Sequence, residues 1–283
     1  MKSTPLGHTA FSWQPTTTTP PPLGHTAFSW GQPPSSPLSS TTSLTTNLIT
    51  TTTKPITLVD ADCNFLHEDL YPHIQHHLTQ ASCATPFPVT QFITPCVCVR
   101  DLPKALSLGR EYPSTIFVTA GVHPFWSAAK VNGTLREGGH DCTTEAIAQL
   151  RAMAMIETFR CIGECGLDLI RPPNDPKGHG FPTLQDQLPW FEAQVKIAIE
   201  LSKNLFLHER KAHYEFLSVL DPYLHLQEEN DGRVTPGVNR TLPPCLVHAF
   251  TGTSDELDAY CQRDFFIGIT GFILEKKAST HLR

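Results

Sequence analysis

The stretch Phe159-Arg160-Cys161-Ile162-Gly163-Glu164-Cys165-Gly166-Leu167-Asp168 decides the fold. Its apolar start is the length of a buried strand, and the strand ends on a carboxylate, Glu164. Six comparable runs surround it, giving strand candidates at 56–60, 91–98, 115–120, 159–164, 204–208, 244–249 and 264–270. Helical periodicity falls between them, near 66–80, 101–111, 143–158, 186–203, 210–220 and 254–263. In the fourth of these, Leu188, Phe191, Val195, Ala198 and Ile199 recur at three- and four-residue steps, with Glu192, Lys196, Glu200 and Lys203 opposite. The last opens with Thr253-x-x-Glu256, a capping-box pattern. Strict alternation of strand and helix implies an α/β fold with a parallel sheet and helical crossovers. Seven units at this spacing point to a TIM (β/α)₈-type barrel, and no Gly-rich dinucleotide turn follows any strand. An open doubly wound sheet is the alternative.

Charge divides the chain in two. Of 283 residues, 27 are acidic and 21 basic, and no acid precedes Asp60. From Asp60 onward the 27 acids face 19 bases, a net of −8. Such a balance excludes sequence-blind coating of duplex DNA through a basic face, but not a nuclease whose positive charge comes from bound cations. Residues 1–55 hold 15 Thr and nine Pro, and repeat Leu6-Gly7-His8-Thr9-Ala10-Phe11-Ser12-Trp13 at Leu23 to Trp30. Two copies cannot stack into a solenoid, and so little apolar surface cannot offset ordering entropy. The expectation is a disordered tail over 1–55 and a hydrolase barrel over 56–283. No run of about 18 apolar residues exists, so no membrane span is expected. Nine cysteines, mostly single in apolar runs such as Cys96, Cys98, Cys161 and Cys245, fit buried thiols in a reducing compartment. An intracellular protein is expected, cytoplasmic or nuclear, with the acid-free Ser/Thr-rich leader leaving a mitochondrial address open.

Chemistry-bearing residues gather at strand ends. Asp60 ends the first, with Asp62 and Asn64 beyond it; His123 follows the third; Glu164, His208 and His248 end the fourth, fifth and sixth. One histidine in such a place is ordinarily a satisfied rim residue. Several strands delivering metal-capable side chains to the one rim where barrel strands converge point to a metal site. Two cations about 3.5–4 Å apart can clamp the attacking and leaving oxygens of a phosphodiester. That arrangement needs a bridging carboxylate, for which Glu164 is the natural candidate.

Taken together, Ile162–Arg171, Gly121-Val122-His123-Pro124, Phe206-Leu207-His208-Glu209-Arg210, Val247–Gly252 and Phe266–Gly271 resemble, in family order, the TatD family of metal-dependent deoxyribonucleases. The resemblance covers residues 56–283. It implies an amidohydrolase-type TIM barrel, two divalent cations, and 3′-to-5′ exonuclease or endonuclease action on DNA. It also implies that Glu164 ligates both cations, that His208 and His248 hold one, and that His123 lines the pocket. Asp60-Ala61-Asp62-Cys63-Asn64 stands where many members read Asp-x-His-x-His. Its oxygen donors favour Mg²⁺ or Mn²⁺ over Zn²⁺. The family's last catalytic carboxylate, on an eighth strand, would fall beyond Arg283. The expectation is therefore a C-terminally incomplete barrel with its first and seventh strands as unpaired edges, and absent or weak activity if the chain stops there.

Other assignments stay open at this level. Asp62 is a cation ligand or a solvated loop carboxylate. Asp168 orients a ligand or caps the following loop. Arg210 and Arg171 stand on the rim where a phosphate would lie, with a solvated surface role as the alternative for Arg171. Phe125 and Trp126 stack on a base or cover the barrel mouth. Long loops at 172–183 and 225–243 are expected on the catalytic and the opposite face respectively. Three functions compete: a DNase acting on single strands or 3′ ends as a monomer; a hydrolase of another ester such as a D-aminoacyl-tRNA; and an inactive barrel.

Overall fold

Apolar stretches too short for helices become the strands, and the amphipathic stretches between them become the covering helices. A computed structural model describes residues 10–11, 56–128, 130–131, 134–135, 139–170, 181–229, 232–237 and 239–271. Its main strands are β1 (Leu58–Asp60), β2 (Val89–Thr94), β3 (Ile116–Ala120), β4 (Phe159–Asp168), β5 (Asn204–Arg210), β6 (Cys245–Val247) and β7 (Phe266–Ile267). The helices are α1 (Ile74–Ser82), α2 (Leu102–Glu111), α3 (Thr144–Ala154), α4 (Leu184–Leu201), α5 (His213–Leu220) and α6 (Ser254–Gln262).

β1 to β7 pair in sequence order, every pair parallel. A doubly wound sheet reverses its strand order at a switch point; this one never does. The result is seven parallel strands of a curled TIM-type barrel, and the open-sheet alternative falls away. β1 does not carry a bare edge: Ala10–Phe11 lies antiparallel against it, Ala10 opposite Asp60 and Phe11 opposite Val59. Unpaired strand amides and carbonyls take whatever extended partner is in reach. The rest of the expected disordered tail, most of the 172–183 loop and everything past Gly271 lie outside the described residues. The 225–243 connection contains a short hairpin, Gln227–Glu228 with Val234–Thr235, on the way from α5 to β6.

Several boundaries differ from the sequence reading: β2 and α3 each end four residues early, at Thr94 and Ala154, and α5 starts three late, at His213. Residues 66–73 are turns and a 3₁₀ segment (Tyr71–His73), and α1 starts only at Ile74. Pro72 explains this, because it lacks an amide and its ring clashes with the carbonyl four residues back. β4 runs on to Asp168, four residues past its expected end. The expected capping box forms on α6, Thr253 with Glu256, and a second one, Thr183 with Asp186, opens α4.

The core has two layers. The larger lies between sheet and helices and includes Phe159, Leu205, Leu207, Val247, Trp190, Phe191 and Phe216. A smaller cluster of Ala61, Cys161, Phe206 and Leu246 fills the concave inside. β4 lies unusually close to β5 at two glycines. A Cβ on Gly163 would stand 2.1 Å from the Phe206 carbonyl oxygen, and one on Gly166 1.8 Å from that of His208. Both also hold positive φ, +139° and +146°, which side-chain-bearing residues avoid. Gly163→Ala is expected to lower unfolding stability by about 3 kcal/mol, whereas Gly232→Ala, whose Cβ would meet open space, costs about 1 kcal/mol. Denaturant titration of the two variants checks the difference.

Candidate metal centre

Period-two alternation aims the site. On β5, Leu205 and Leu207 join the outer core and Phe206 the inner one, so His208 falls on the inner face. On β6, Cys245 and Val247 face outward and Leu246 inward, which sends the next residue, His248, inward as well. The His248 ring stacks on Phe206 at 5.0 Å. Glu164 enters from β4, its amide donating to the Cys96 carbonyl at 3.1 Å.

One carboxylate oxygen gathers three imidazoles. Glu164 Oε1 lies 2.7 Å from His248 Nε2, 2.9 Å from His208 Nδ1 and 3.2 Å from His123 Nε2. Each ring is fixed from behind through its other nitrogen. His248 Nδ1 is 3.1 Å from Asp62 Oδ2, and His208 Nε2 is 3.0 Å from Asp168 Oδ2. His123 Nδ1 instead accepts the Phe125 amide at 3.0 Å. The difference decides chemistry. A backbone amide can only donate, so the neutral His123 ring carries its hydrogen on Nε2 and points it at Glu164. His208 and His248 donate to carboxylates behind them, so once each ring is neutral its inner nitrogen, now on Glu164 Oε1, carries the lone pair that a base or ligand needs. Donor atoms of His123, Glu164 and His208 lie within 4.8 Å of one another, a spacing that suits a cation.

Electrostatics follow from the pairing. Burial alone would raise the Glu164 carboxyl, but the charge of His248 and the hydrogen bonds from His123 and His208 hold it well below its ordinary value. Burial would lower His248; Glu164 and Asp62 outweigh it and push the imidazole up to about 10. His208 is raised against its burial by hydrogen bonds to Asp168 and Glu164. Burial lowers His123, consistent with a neutral ring. Asp62 is raised, chiefly by burial and against the pull of His248.

The remaining expected site residues take these places. Asp60 is buried, and its Oδ1 accepts the Asp62 amide at 3.1 Å. Asn64 is half-buried in the following turn, its carbonyl accepting from His67 at 3.0 Å. Asp168 Oδ2 lies on His208 Nε2, and its Oδ1 accepts the Ile170 amide at 2.8 Å. Arg210 is exposed, its guanidinium 3.9 Å from Asp168 Oδ2. Arg171 lies outside the described residues. Phe125 packs edge-on against His123 at 4.8 Å and Phe181 at 5.4 Å, covering the site's flank. The Trp126 carbonyl accepts the His140 amide at 2.8 Å.

Two residues the sequence reading passed over hold this rim in place. Gln187 accepts the Asp168 amide at 2.8 Å and donates to the Asp168 carbonyl at 2.8 Å. Seven residues along α4, Gln194 does the same for Val122, beside His123, at 2.7 and 3.1 Å. Both are buried among Trp190, Phe191 and Val195, and their signal was two amides on an otherwise apolar helix face.

A curled parallel barrel with a carboxylate and histidines converging on its inner rim defines a TIM-type fold with a cation-capable centre. Residues 59–283 match the family model described as TatD related DNase, and the chain belongs to that family. It is 34% identical over 180 residues to the 3′-5′ ssDNA/RNA exonuclease TatD of Erwinia tasmaniensis, covering 64% of this chain and 56% of that protein. To the protein of the same name from Escherichia coli K12 it is 33% identical over 189 residues, covering 65% and 57%. The chain thus spans a little over half the length of these relatives. Among solved structures, a TatD homologue from E. coli K12 superposes with a TM-score of 0.58 at 22% identity, covering 78% of this chain and 71% of that one. A TatD family hydrolase from Entamoeba histolytica gives 0.57 at 20%, covering 79% and 67%. These two likenesses concern the fold.

With its value near 10, His248 holds its proton at pH 7, and a cation needs the neutral ring. The raised value also means that this proton stabilises the cation-free fold fully below about pH 6.5. That contribution fades as pH rises toward 10. Mn²⁺ binding to this cluster at pH 7 is expected to release at least one proton per site, from His248 with a further share from His208. A pH-stat titration checks it, and the release should shrink above pH 10.

Proposed function

We propose that the chain hydrolyses phosphodiester bonds of single-stranded nucleic acid, DNA in particular, as a divalent-cation-dependent nuclease. The observation carrying this reading is the convergence of three histidines on one buried Glu164 oxygen, within a chain of the TatD related DNase family. The relatives' names specify 3′-5′ action on ssDNA and RNA, which supports an exonuclease mode.

Glu164 with His208 and His248 fits a cation: the two imidazole nitrogens lie 2.9 and 2.7 Å from Glu164 Oε1 and 3.1 Å from each other. Glu164, His208 and His248 are assigned as its ligands. His123 is assigned as a donor lining the pocket, since its Nδ1 is taken as an acceptor by the Phe125 amide. A second cation would draw on Asp60, Asp62 and Asn64, whose oxygens favour Mg²⁺ or Mn²⁺. When bound, such ions acidify a water and neutralise charge developing on the phosphate. The protein's own part is to hold and orient. Asp168 and Asp62 keep the outer protons of His208 and His248, which fixes the two rings and raises the basicity of their inner nitrogens. Burial of Glu164 and Asp168 excludes water from the anchoring bonds. His123 Nε2–H offers a hydrogen bond to the carboxylate or to a phosphate oxygen. Arg210 on the rim supplies a positive group for the substrate backbone.

Residues 56–283 would form the hydrolase unit, with 1–55 as a tail. Nine free cysteines, six of them buried, suit a reducing compartment inside the cell. With Mg²⁺ or Mn²⁺ and a 3′-labelled single-stranded oligonucleotide, Glu164→Gln should cut turnover more than a hundredfold and Asp168→Asn by about 10- to 100-fold. Wild-type rates in Glu164→Gln would overturn the assignment.

A further inference from the structure

A half-buried network outside the metal centre has no part in the chemistry above. Glu209, directly after His208, accepts the Ala212 amide on Oε1 at 2.7 Å and the Tyr260 hydroxyl on Oε2 at 2.9 Å. The same hydroxyl is 3.0 Å from His213 Nδ1. Tyr260 is fully buried and comes from α6, whereas His213 opens α5. The network therefore ties the end of β5 to the first turn of α5 and to α6, and fixes the tight turn between them. Lys211 sits in that turn at a left-handed φ of 58°.

The pinned turn turns unusual side chains to solvent. Tyr214 is 85% exposed, the most exposed large hydrophobic residue described. Arg210 and Lys211 are exposed beside it in sequence. Just past the end of the neighbouring strand Leu169 is exposed as well, and its amide donates to the Arg210 carbonyl at 2.9 Å. Arg210 reaches within 3.9 Å of Asp168 Oδ2, the oxygen that anchors His208. An aromatic face and two cations thus stand on the catalytic rim of an otherwise acidic protein, on a turn held rigid from below.

We propose that this turn is a nucleotide subsite: Tyr214 stacks on a base of the single strand, and Arg210 with Lys211 takes an adjoining phosphate. Bases stack on aromatic rings whatever their identity, so the subsite adds affinity without sequence preference. It rests on the nuclease reading and names where that reading's substrate lies outside the metal centre. Rigidity contributes, since the turn pays no ordering entropy on binding.

The test separates the two. Binding of a fluorescein-labelled eight-nucleotide oligo(dT) is followed by anisotropy in EDTA, where nothing is cut. Turnover of bis(p-nitrophenyl) phosphate with Mn²⁺, a substrate without a base, is measured in parallel. Tyr214→Ala should weaken oligonucleotide binding roughly tenfold, Tyr214→Phe should stay within about twofold of wild type, and both should keep wild-type turnover of the small ester. Equal oligonucleotide affinity in Tyr214→Ala and wild type, or no binding by wild type, overturns the subsite whatever the ester result. Loss of ester hydrolysis in wild type, with Tyr214-dependent binding intact, overturns the nuclease reading and leaves the subsite standing.

Discussion

A carboxylate buried at the inner rim of the sheet, Glu164, is the constraint around which the rest is arranged. An isolated buried carboxylate would cost several kcal/mol to desolvate. Here it remains ionised because three imidazoles surround a single oxygen and two of them carry raised proton affinity. Those two are in turn backed by Asp62 and Asp168, so acid and base alternate outward from the centre. Such a chain of charge holds its geometry only while every member is present. Removing one partner leaves an uncompensated buried charge, at about 3–5 kcal/mol.

Everything near the centre serves to place these few atoms. Gly163 and Gly166 bring β4 against β5, so that Glu164 and Asp168 reach His208 from opposite sides. Gln187 and Gln194, two helical turns apart on α4, grip the backbone at Asp168 and Val122 with paired amide bonds. Satisfying a strand-end amide and carbonyl with a side-chain amide solves a burial problem and fixes a catalytic register at once. The Glu209–Tyr260–His213 network does the same for the turn after β5.

Much of this could be read from the residues in order. Asp60, His123, Glu164, His208 and His248 each close or follow an apolar run, and parallel strands send such positions to one rim. Their convergence followed from the parallel alternation of strand and helix, and the preference for a barrel from the seven-unit spacing without a Gly-rich turn. What escaped was whatever depends on pairs distant in sequence. Gln187 and Gln194 look like flaws in an apolar stripe until the strand ends they grip are in place. Tyr260 reads as an ordinary helix residue until Glu209 and His213 meet it. The resemblance already implied that His123 lines the pocket; the Phe125 amide that fixes its tautomer is what no spacing rule encodes. The late start of α1 was visible in Pro72 and was passed over in favour of the apolar periodicity around it.

The claim that Glu164 is the hub of a cation centre is tested most directly by electron paramagnetic resonance of Mn²⁺ added to the purified protein at pH 8. The account predicts bound Mn²⁺ in the wild type and its loss, at the same free concentration, in Glu164→Gln. Undiminished binding in Glu164→Gln would contradict it.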